Sequence, residues 1–591
     1  MAYTFSPLPD TRSVRMLILA PGSDDEVLQG HLEVVDIDAL GSYEPISYVW
    51  GDSAQRHRFL CEGSQLSLTT SLYQALTRLR LNDRSRRLWA DQICIDQSNL
   101  AERGQQVQFM NRIYRGASHV LVWLGHDNSR AAAAAFGLFR GLAKIFSDEE
   151  GRKAFELEHL ENPSEKSEEA WGPLKTFTNL PWFTRAWIVQ EIGTSAPATL
   201  FWGGEELDWK LVFGVCEELA RYHGLRKRFD IQTSKVKYVF QRFVEPVKTS
   251  RHANRFSFVY ELHRARHLQV TDPRDRVFAL LGHYSVREGR GDALKSLAAD
   301  YTQSVEDVYI DLARRALCDD DESLVTLAAV QHSNPDLGQS GLPSWVPDWR
   351  LYSSHILSEP TSSHSAHGST RPKVEVASRS LFVRGIIIDS IVSHSDGIRA
   401  KAFYADDASG TPTIERLWGE VCGKSTFDLA DKYITGDSAL FAFMQTLSNG
   451  CASLTWSVEP DHHAAPADTW LDYGAAYLSR LFAGSRKITD EILDRGRTGD
   501  AAQWIRAANS ASTNRALAVT SKGYYVLGPN IIRNGDIVCV LFGGKMPFCL
   551  RPLENGSYHL VGECYVHGFM EGQAIDDLRQ GHYSETNFEI V

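Results

Sequence analysis

The residues best suited to chemistry are carboxylates, an amide and aromatic rings that stand at the ends of predicted strands. A carboxylate can stabilise positive charge that develops in a reaction, and an aromatic face can stack on a planar ring of a ligand. In a parallel sheet the carboxyl ends of the strands lie at one edge, where ligands bind. We therefore expect one cleft, lined by the residues of three strand ends: Trp50, Gly51 and Asp52; Asp91, Asp96 and Gln97; Gly125 and His126.

A further carboxylate lies on a helix that the sequence predicts over residues 181–192, with a proline in its first turn and a glycine as its stop. Trp187 and Glu191 are four residues apart, so they share one face of this helix. That spacing fits a core helix with an exposed edge, and it fits equally a carboxylate in a cleft beside an aromatic surface. Two other interpretations stay open: Glu191 forms a structural ion pair with Arg185 or Arg115, and Trp187 belongs to the core.

These candidates need a sheet to position them, and the hydrophobic pattern predicts one. Residues 69–80 carry an apolar stripe at helical spacing, and Asn99 followed by Glu102 has the spacing of a capping box at the start of a second helix. Short apolar runs alternate with these helices, which is typical of an α/β fold with a parallel sheet and covering helices. The predicted strands are 46–50, 88–95, 120–124 and 198–202.

The strand-end residues also have purely structural interpretations. Trp50 and Gly51 could form a tight exit from a strand, with no ligand. Asp91 and Asp96 flank an apolar run and could cap loops or the next helix. Arg103 could hold an acidic group across the cleft or could lie in solvent on its helix. The sequence leaves these alternatives open.

The pattern along the chain predicts four segments. Residues 1–40 are a strand-bearing lead-in, and residues 41–210 are the α/β domain. Residues 211–370 are a mainly helical region with a loop. Residues 371–591 are a mixed α+β domain, with strand signals at both of its ends and helices between them.

The composition is that of an ordinary folded protein. The 591 residues are 43% hydrophobic and 23% charged, which favours about three to four globular domains over a disordered chain. Lys and Arg number 62 and Asp and Glu 74, so the net charge of −12 argues against non-specific binding to nucleic acid. The nine cysteines form no CxxC pair, which is typical of reduced thiols in the cytoplasm.

Several other classes of site and segment are disfavoured by the sequence. No apolar run reaches the ~18 residues of a membrane span, and the amino terminus has no basic start followed by an apolar run, so no secretory signal is predicted. His364 with His367, and His462 with His463, lack nearby cysteines or carboxylates, so we expect no metal site. The glycine spacing of a nucleotide-binding loop is also absent, and no bound cofactor is predicted.

Five sequence blocks follow one another in the first third of the chain. They are Tyr43-Glu-Pro-Ile-Ser-Tyr-Val-Trp-Gly-Asp52, Leu88-Trp-Ala-Asp-Gln-Ile-Cys-Ile-Asp-Gln97, Glu102-Arg103 with Gln106-Val107, Met110 and Ile113-Tyr114, Val122-Trp-Leu-Gly125, and Trp182-Phe-Thr-Arg-Ala-Trp-Ile-Val-Gln-Glu191. In order and spacing these blocks resemble the HET domain, the heterokaryon-incompatibility domain of filamentous fungi. Ala90 departs mildly from the family pattern, which has Ile or Val there. Two later segments, 271–282 and 342–349, resemble pieces that often follow the domain.

The resemblance implies a role in non-self recognition and programmed cell death. The HET domain is in turn distantly similar to TIR domains, so it implies a TIR-like or flavodoxin-like sheet. Some TIR domains hydrolyse NAD⁺ with a glutamate on the helix after the third strand. Carried over to this chain, that catalytic residue is Glu191. The implied substrate-binding residues are Trp50, Gly51, Asp52, Asp91, Asp96, Gln97 and Trp187.

The chemistry of such a site requires few catalytic groups. Cleavage of the nicotinamide–ribose bond builds oxocarbenium character on the ribose, as glycoside hydrolysis does. One carboxylate can stabilise that charge or trap it covalently. Nicotinamide leaves as a neutral group, so neither a second acid nor a metal is required. NAD⁺ is thus implied as a substrate and not as a cofactor.

The resemblance also implies partners, and it leaves the activity open. TIR-like domains tend to complete their sites between neighbours, so self-association is expected, and an incompatibility partner protein is a further candidate. A second interpretation is a non-enzymatic adaptor that triggers death by binding another protein. A third is a non-toxic regulator whose cleft its own carboxyl-terminal region blocks.

Overall fold

The computed structural model divides the secondary structure of the chain between two units. The N-terminal unit comprises residues 1–245, 267–287 and 297–304, and the C-terminal unit comprises 246–266, 288–296 and 305–591. The structure describes residues 2–23, 25–52, 54–160, 168–248, 250, 252–287, 292–318, 324–337, 341–351, 355–360, 362–404, 410–451 and 467–591.

The N-terminal unit is built on one sheet, which contains nine strands of the described residues. They are β1 (Ser13–Leu19), β2 (Gln29–Asp36), β3 (Glu44–Tyr48), β4 (Arg56–Cys61), β5 (Ser64–Thr69), β6 (Arg86–Trp89), β7 (Val120–Trp123), β8 (Ala198–Trp202) and β9 (Glu205–Asp208). Their order across the sheet is β5-β4-β2-β1-β6-β3-β7-β8-β9. The neighbours β6, β3, β7 and β8 run parallel to one another, whereas β1 and β9 pair antiparallel with the two sides of this central group. The sheet is therefore mixed, with a parallel centre.

Helices separate β5, β6, β7 and β8 along the chain, whereas β1 to β5 follow one another without a helix among the described residues. In chain order the helices of the described residues are α1 (Thr70–Leu79), α2 (Asp91–Cys94), α3 (Leu100–Arg115), α4 (Ala132–Ile145), α5 (Glu149–Leu160), α6 (Glu168–Thr178), α7 (Ile188–Ile192), α8 (Trp209–Leu219), α9 (His223–Arg228), α10 (Thr233–Val239), α11 (Phe258–Ala265), α12 (Asp275–Phe278), α13 (Tyr284–Arg287), α14 (Asp292–Lys295), α15 (Val305–Cys318), α16 (Val325–Ala328), α17 (Thr413–Glu420), α18 (Ala439–Leu447), α19 (Ala467–Phe482), α20 (Asp490–Gly496), α21 (Ala501–Ser512) and α22 (Gln573–Arg579). None of them is long and apolar enough to cross a bilayer.

The sequence correctly predicts the α/β character of this unit and its parallel centre. The predicted strands 46–50, 120–124 and 198–202 correspond to β3, β7 and β8. Helix α1 buries the four apolar residues of its predicted stripe, because a period of 3.6 residues places them on one side.

The predicted strand 88–95 is wrong in its second half. The strand ends at Trp89, and α2 forms a single helical turn, in which the backbone N–H groups of Ile93 and Cys94 donate to the carbonyl oxygen of Ala90 at 3.0 and 2.8 Å. An apolar run of this length does not distinguish a buried strand from a buried helical turn. Asp91 consequently opens a helical turn instead of lying within a strand.

The predicted continuous helix over 181–192 is also wrong. A 3-10 turn, Pro181–Thr184, is followed by Arg185 in an extended conformation, and α7 starts only at Ile188. The break has a tertiary cause, because the backbone of Gln269 pairs with this segment. Its N–H donates to the carbonyl oxygen of Thr184 at 2.5 Å, and its carbonyl oxygen accepts from the N–H of Ala186 at 3.0 Å. Trp187 is therefore the residue that caps a five-residue helix.

The capping box predicted at the start of α3 is present only in part. The Asn99 side chain accepts a hydrogen bond from the N–H of Glu102 at 3.2 Å, as an N-cap residue should. The Glu102 side chain does not return to Asn99. It accepts from the guanidinium of Arg15 on β1 and from the N–H of Asp96. Glu102 thus joins β1 to the start of α3.

The C-terminal unit has a sheet of its own, formed by the remaining strands of the described residues. These strands are β10 (Val374–Ala377), β11 (Ser380–His394), β12 (Arg515–Thr520), β13 (Tyr525–Pro529), β14 (Ile537–Leu541), β15 (Phe548–Pro552), β16 (Tyr558–Glu563), β17 (Tyr565–Val566) and β18 (Glu585–Ile590). The long β11 pairs with both β18 and β14, so β11, β14, β15, β16 and β18 close into a ring. Helices α17 to α21 lie between β11 and β12 in the chain. Their buried side chains, among them Trp418, Phe443 and Trp504, belong to one hydrophobic core.

Candidate functional site

Glu191 is buried against the central strand β3. Its Oε2 accepts a hydrogen bond from the Ser47 hydroxyl, and the same hydroxyl oxygen accepts from Trp182 Nε1 at 2.9 Å. Arg185 Nη1 lies 3.4 Å from the same carboxylate oxygen. Only 3% of the Glu191 side chain is exposed. Of the two ion pairs that the sequence left open for Glu191, the one with Arg185 is formed.

The electrostatic setting of Glu191 favours its protonated form more than water does. Burial raises the pKa of the Glu191 carboxyl above its ordinary value, and the neighbouring charge of Asp91 adds to that rise. The Arg185 charge and the Ser47 hydrogen bond act in the opposite direction. Carboxyl groups with a raised pKa occur at functional sites, and they occur also in buried structural ion pairs.

Asp91 joins the ends of β3 and β6. Its Oδ1 accepts from the Tyr48 hydroxyl at 2.7 Å, and its Oδ2 accepts from Trp50 Nε1 at 2.8 Å. The Gln97 side-chain amide donates to the Asp91 carbonyl oxygen at 2.9 Å. Trp50, Asp91 and Gln97, which the sequence assigned to one cleft, are therefore in direct contact. All three side chains are half-buried, so the group borders solvent.

The hydroxyl of Tyr48 makes Asp91 important for stability. Tyr48 is buried, and its pKa is raised well above the ordinary value by burial and by the Asp91 carboxylate. We expect Asp91→Ala to destabilise the N-terminal unit by about 1–3 kcal/mol, because it leaves this hydroxyl without its acceptor. Asp52→Ala is the matched control, with an expected change within about 0.5 kcal/mol. Urea unfolding, monitored by hydrogen exchange of the β3 amides, measures the free energy of unfolding of both variants. An equal loss of stability in the two variants would contradict the hydrogen bond assigned to Tyr48 and Asp91.

The other residues predicted at the first two strand ends do not contact Asp91 through their side chains, and their hydrogen bonds are to neighbours in the sequence. Asp52 is exposed, and its carboxylate accepts from the N–H of Ala54 at 2.8 Å. The Asp96 carboxylate accepts hydrogen bonds from the N–H and the hydroxyl of Ser98, and these bonds stabilise the loop before α3. Gly51 has a φ of +71°, so it forms the tight strand exit considered from the sequence. These are the structural roles that the sequence left open for Asp96 and Gly51.

The third strand end contributes little. Gly125 leaves β7 with a φ of +109°, and the ring of the exposed His126 packs edge-on against Trp123 with centroids 5.8 Å apart. Among the residues that the structure describes, no group of three or more His, Cys, Asp and Glu side chains could hold a metal ion. His462 and His463 lie outside the described residues.

Trp187 and Glu191 contact different parts of the unit. The Trp187 indole Nε1 donates to Asp275 Oδ2 at 3.2 Å, whereas Glu191 contacts Ser47 and Arg185. The Trp187 ring and the Glu191 carboxylate, which the sequence predicted on one helical face, therefore have different hydrogen-bond partners.

Sequence reasoning missed four residues of the site. Ser47 and Trp182 hold the Glu191 carboxylate, Tyr48 holds Asp91, and Asp275 holds Trp187. Ser47 was detectable as a small hydroxyl residue within the predicted strand 46–50. Asp275 lies within segment 271–282, which the sequence analysis noted without giving it a role.

Comparisons with known proteins agree with the sequence blocks around this site. Residues 43–191 match the family model of the heterokaryon incompatibility protein (HET), and residues 454–583 match the Het-6 beta-barrel domain. The chain is 25% identical to the heterokaryon incompatibility protein 6, OR allele, of Neurospora crassa, over 95% of this chain and 94% of that protein. No solved structure matches the chain. The resemblance seen in the sequence is thereby confirmed for residues 43–191, which match the HET family model.

Proposed function

We propose that this chain acts in fungal heterokaryon incompatibility, and that its HET domain brings about the cell death of that response. The observation that supports this most strongly is the similarity to an incompatibility protein of Neurospora crassa over nearly the full length of both chains. The matches to a HET domain and to a Het-6 beta-barrel domain point the same way. The proposed compartment is the cytoplasm, since the eight cysteines whose side chains are described are all free of disulfides.

We further propose that the HET domain is TIR-like and hydrolyses NAD⁺ through Glu191. Numbered along the chain, the central parallel strands lie in the order second, first, third, fourth (β6-β3-β7-β8), the order of flavodoxin-like sheets. Glu191 lies on the helix between the third and the fourth of these strands. The raised pKa of the Glu191 carboxyl is further support, because carboxyls with perturbed pKa values collect at functional sites.

In the proposed reaction, water adds to the anomeric carbon of the ribose as the bond to nicotinamide breaks. Nicotinamide departs with the bonding electron pair as a neutral molecule, and the proton of the water is released, which leaves ADP-ribose. The ionised Glu191 carboxylate stabilises the positive charge on the ribose during this step. The half-buried Trp50 ring, held by Asp91, offers a face on which the nicotinamide or adenine ring can stack.

The structure corresponds in this proposal to a resting state. A dinucleotide cannot reach a carboxylate that is 3% exposed and closed off by Ser47 and Arg185. Activation therefore requires Arg185, itself partly exposed, to move away from Glu191. Self-association or binding of an incompatibility partner supplies the free energy for that movement, since an event that favours the open state shifts its population.

The closed ion pair is also the observation that favours a second function. A carboxylate fully engaged by Ser47 and Arg185 is what a structural role for Glu191 requires. In that case the HET domain is a non-enzymatic adaptor that triggers death by binding another protein. The enzymatic function requires the negative charge on Glu191 for the reaction, whereas the adaptor function does not.

Expression of the full chain in a filamentous fungus tests whether lethality requires the negative charge on Glu191. Glu191→Gln keeps the shape of the side chain and a hydrogen-bonding group for Ser47 while removing the charge. We expect it to abolish lethality, because loss of one transition-state contact of this kind costs about 10²–10³-fold in rate. Glu206→Gln, at an exposed position on β9, is the control and should stay lethal. A Glu191→Gln chain that kills as well as the parent would leave the adaptor function.

A further inference from the structure

Trp187 is held by residues that lie beyond the end of the family match at residue 191. Asp275, in the first turn of α12, accepts from the Trp187 indole N–H through Oδ2 at 3.2 Å. Its other oxygen, Oδ1, accepts from the Tyr301 hydroxyl at 2.7 Å. Both carboxylate oxygens of this buried residue are thus used, one on Trp187 and one on Tyr301.

Tyr301 and Asp272 are in turn fixed to helix α3. The guanidinium carbon of Arg103 lies 3.4 Å from the centroid of the Tyr301 ring, and Arg103 Nη2 lies 3.4 Å from Asp272 Oδ2. The backbone at Gly104 approaches the Ala299 carbonyl oxygen so closely that a Cβ atom at Gly104 would lie 2.5 Å from it. Arg103 therefore holds an acidic group of its own chain, and its interpretation as a solvated residue is wrong.

The contact with Trp187 matters because of its position at the start of α7. The first backbone hydrogen bond of this helix runs from the N–H of Glu191 to the Trp187 carbonyl oxygen at 3.2 Å. A helix of five residues has no stability of its own, so its geometry depends on what anchors its ends. At its other end the Gly193 carbonyl oxygen accepts from the N–H of Phe243 at 2.8 Å.

We propose that Asp275 and Tyr301 are positioning residues of the HET domain, which hold Trp187 and through it the helical turn that carries Glu191. The functional unit of the domain then includes residues 267–287 and 297–304 as well as the matched residues 43–191. For catalysis this inference rests on the proposed role of Glu191. The positioning itself does not, so the two can fail separately.

The titration of Asp275 provides a readout of the contact. Burial raises its pKa to about 6, the charge of Asp272 adds to the rise, and the Tyr301 and Trp187 hydrogen bonds and the Arg103 charge oppose it. Arg274, which pairs with Asp272, is a further charged group that acts on Asp275. The native carboxyl thus holds its proton at pH values where an unfolded chain has lost it. Its ionisation therefore lowers the stability of the N-terminal unit as the pH rises from about 4 to about 6.

The test uses the full chain labelled with 5-fluorotryptophan, with the Trp187 resonance assigned by its loss in Trp187→Phe. We expect this ¹⁹F resonance to shift with pH around a midpoint of about 6 in the parent chain. In Asp275→Asn the pH-dependent shift should disappear, while Asp83→Asn, at an exposed position, should titrate like the parent. A Trp187 resonance that is independent of pH in the parent, or that still titrates in Asp275→Asn, would overturn the positioning contact.

Nicotinamide release by the same variants then tests the link to Glu191. Asp275→Ala should lower the rate about tenfold or more, because small misplacements of a reacting group are costly. Asp275→Asn, which can still accept from the indole N–H, should recover most of it. If the parent releases no nicotinamide, the proposed reaction fails and the ¹⁹F titration alone decides the positioning. If Asp275→Ala and the parent have equal rates, the link to Glu191 is wrong.

Discussion

Replacing Arg15 with alanine is expected to destabilise the N-terminal unit by about 3–5 kcal/mol, because it leaves the buried Glu102 carboxylate without its ion-pair partner. Arg15 on β1 and Glu102 on α3 form a two-pronged ion pair with contacts of 2.5 and 3.1 Å. Their side chains are 3% and 7% exposed. Arg15 also donates to the carbonyl oxygens of Ser6 and Cys94. The variant loses all of these contacts while the Glu102 charge stays out of water.

Hydrogen exchange of the β1 and β6 amides measures this loss locally. A change of about 3–5 kcal/mol corresponds to exchange that is about two to nearly four orders of magnitude faster, if these amides exchange through opening of the unit. Arg84→Ala is the matched control, because the Arg84 side chain is 73% exposed and lies 3.6 Å from Asp83. Exposed pairs contribute at most about 1 kcal/mol. An Arg15→Ala chain that exchanges like the control would show that this pair does not hold β1 to α3.

The second large effect is expected in the C-terminal unit, at Glu563. Its carboxylate accepts from Arg515 Nη2 at 2.9 Å, from the N–H of Leu357 at 2.5 Å, and from both the N–H and the hydroxyl of Ser358. Arg515 donates further to the His355 carbonyl oxygen at 3.0 Å. The pair therefore joins β12 and β16 to the irregular segment 355–358. Both of its side chains are buried.

Glu563→Ala should cost about 3–5 kcal/mol, since it leaves the Arg515 charge buried and two backbone N–H groups without acceptors. Scanning calorimetry of the full chain should record a fall in the Tm of the affected transition on the order of 10 °C. Asp576→Ala serves as the control, because Asp576 pairs with Arg579 at an exposed site and should leave the Tm nearly unchanged. Similar Tm values for the two variants would contradict the role given to this pair.

The parts of the fold that the sequence predicts well are those set by local hydrophobic pattern. Helix α1 buries the expected stripe, and strands β3, β7 and β8 appear where short apolar runs predicted them. The errors arise where a distant residue decides the local conformation. Gln269 breaks the helix predicted over 181–192, although nothing in that stretch itself interrupts a helix before Gly193.

The sequence points to some residues of the candidate site, but not to their partners or to the geometry of the site. The sequence blocks point to Glu191, Asp91 and Trp50, and the structure brings Asp91 and Trp50 into contact. Whether Glu191 faces a cleft or the interior depends on Ser47 and Trp182, which come from a strand and a turn far apart in the chain. Such a contact is a property of tertiary packing, and no local pattern encodes it.

The proposed activity requires the negative charge at Glu191, and nicotinamide release from NAD⁺ by the purified full chain measures that activity. The assay is run over a range of protein concentrations, so that self-association is included. We expect one nicotinamide per NAD⁺ consumed, at a rate per chain that rises with protein concentration. This rate should fall at least about 100-fold in Glu191→Gln and should be unchanged in Glu206→Gln. Equal rates for the parent and Glu191→Gln, or no nicotinamide from the parent at any concentration, would contradict the proposed activity.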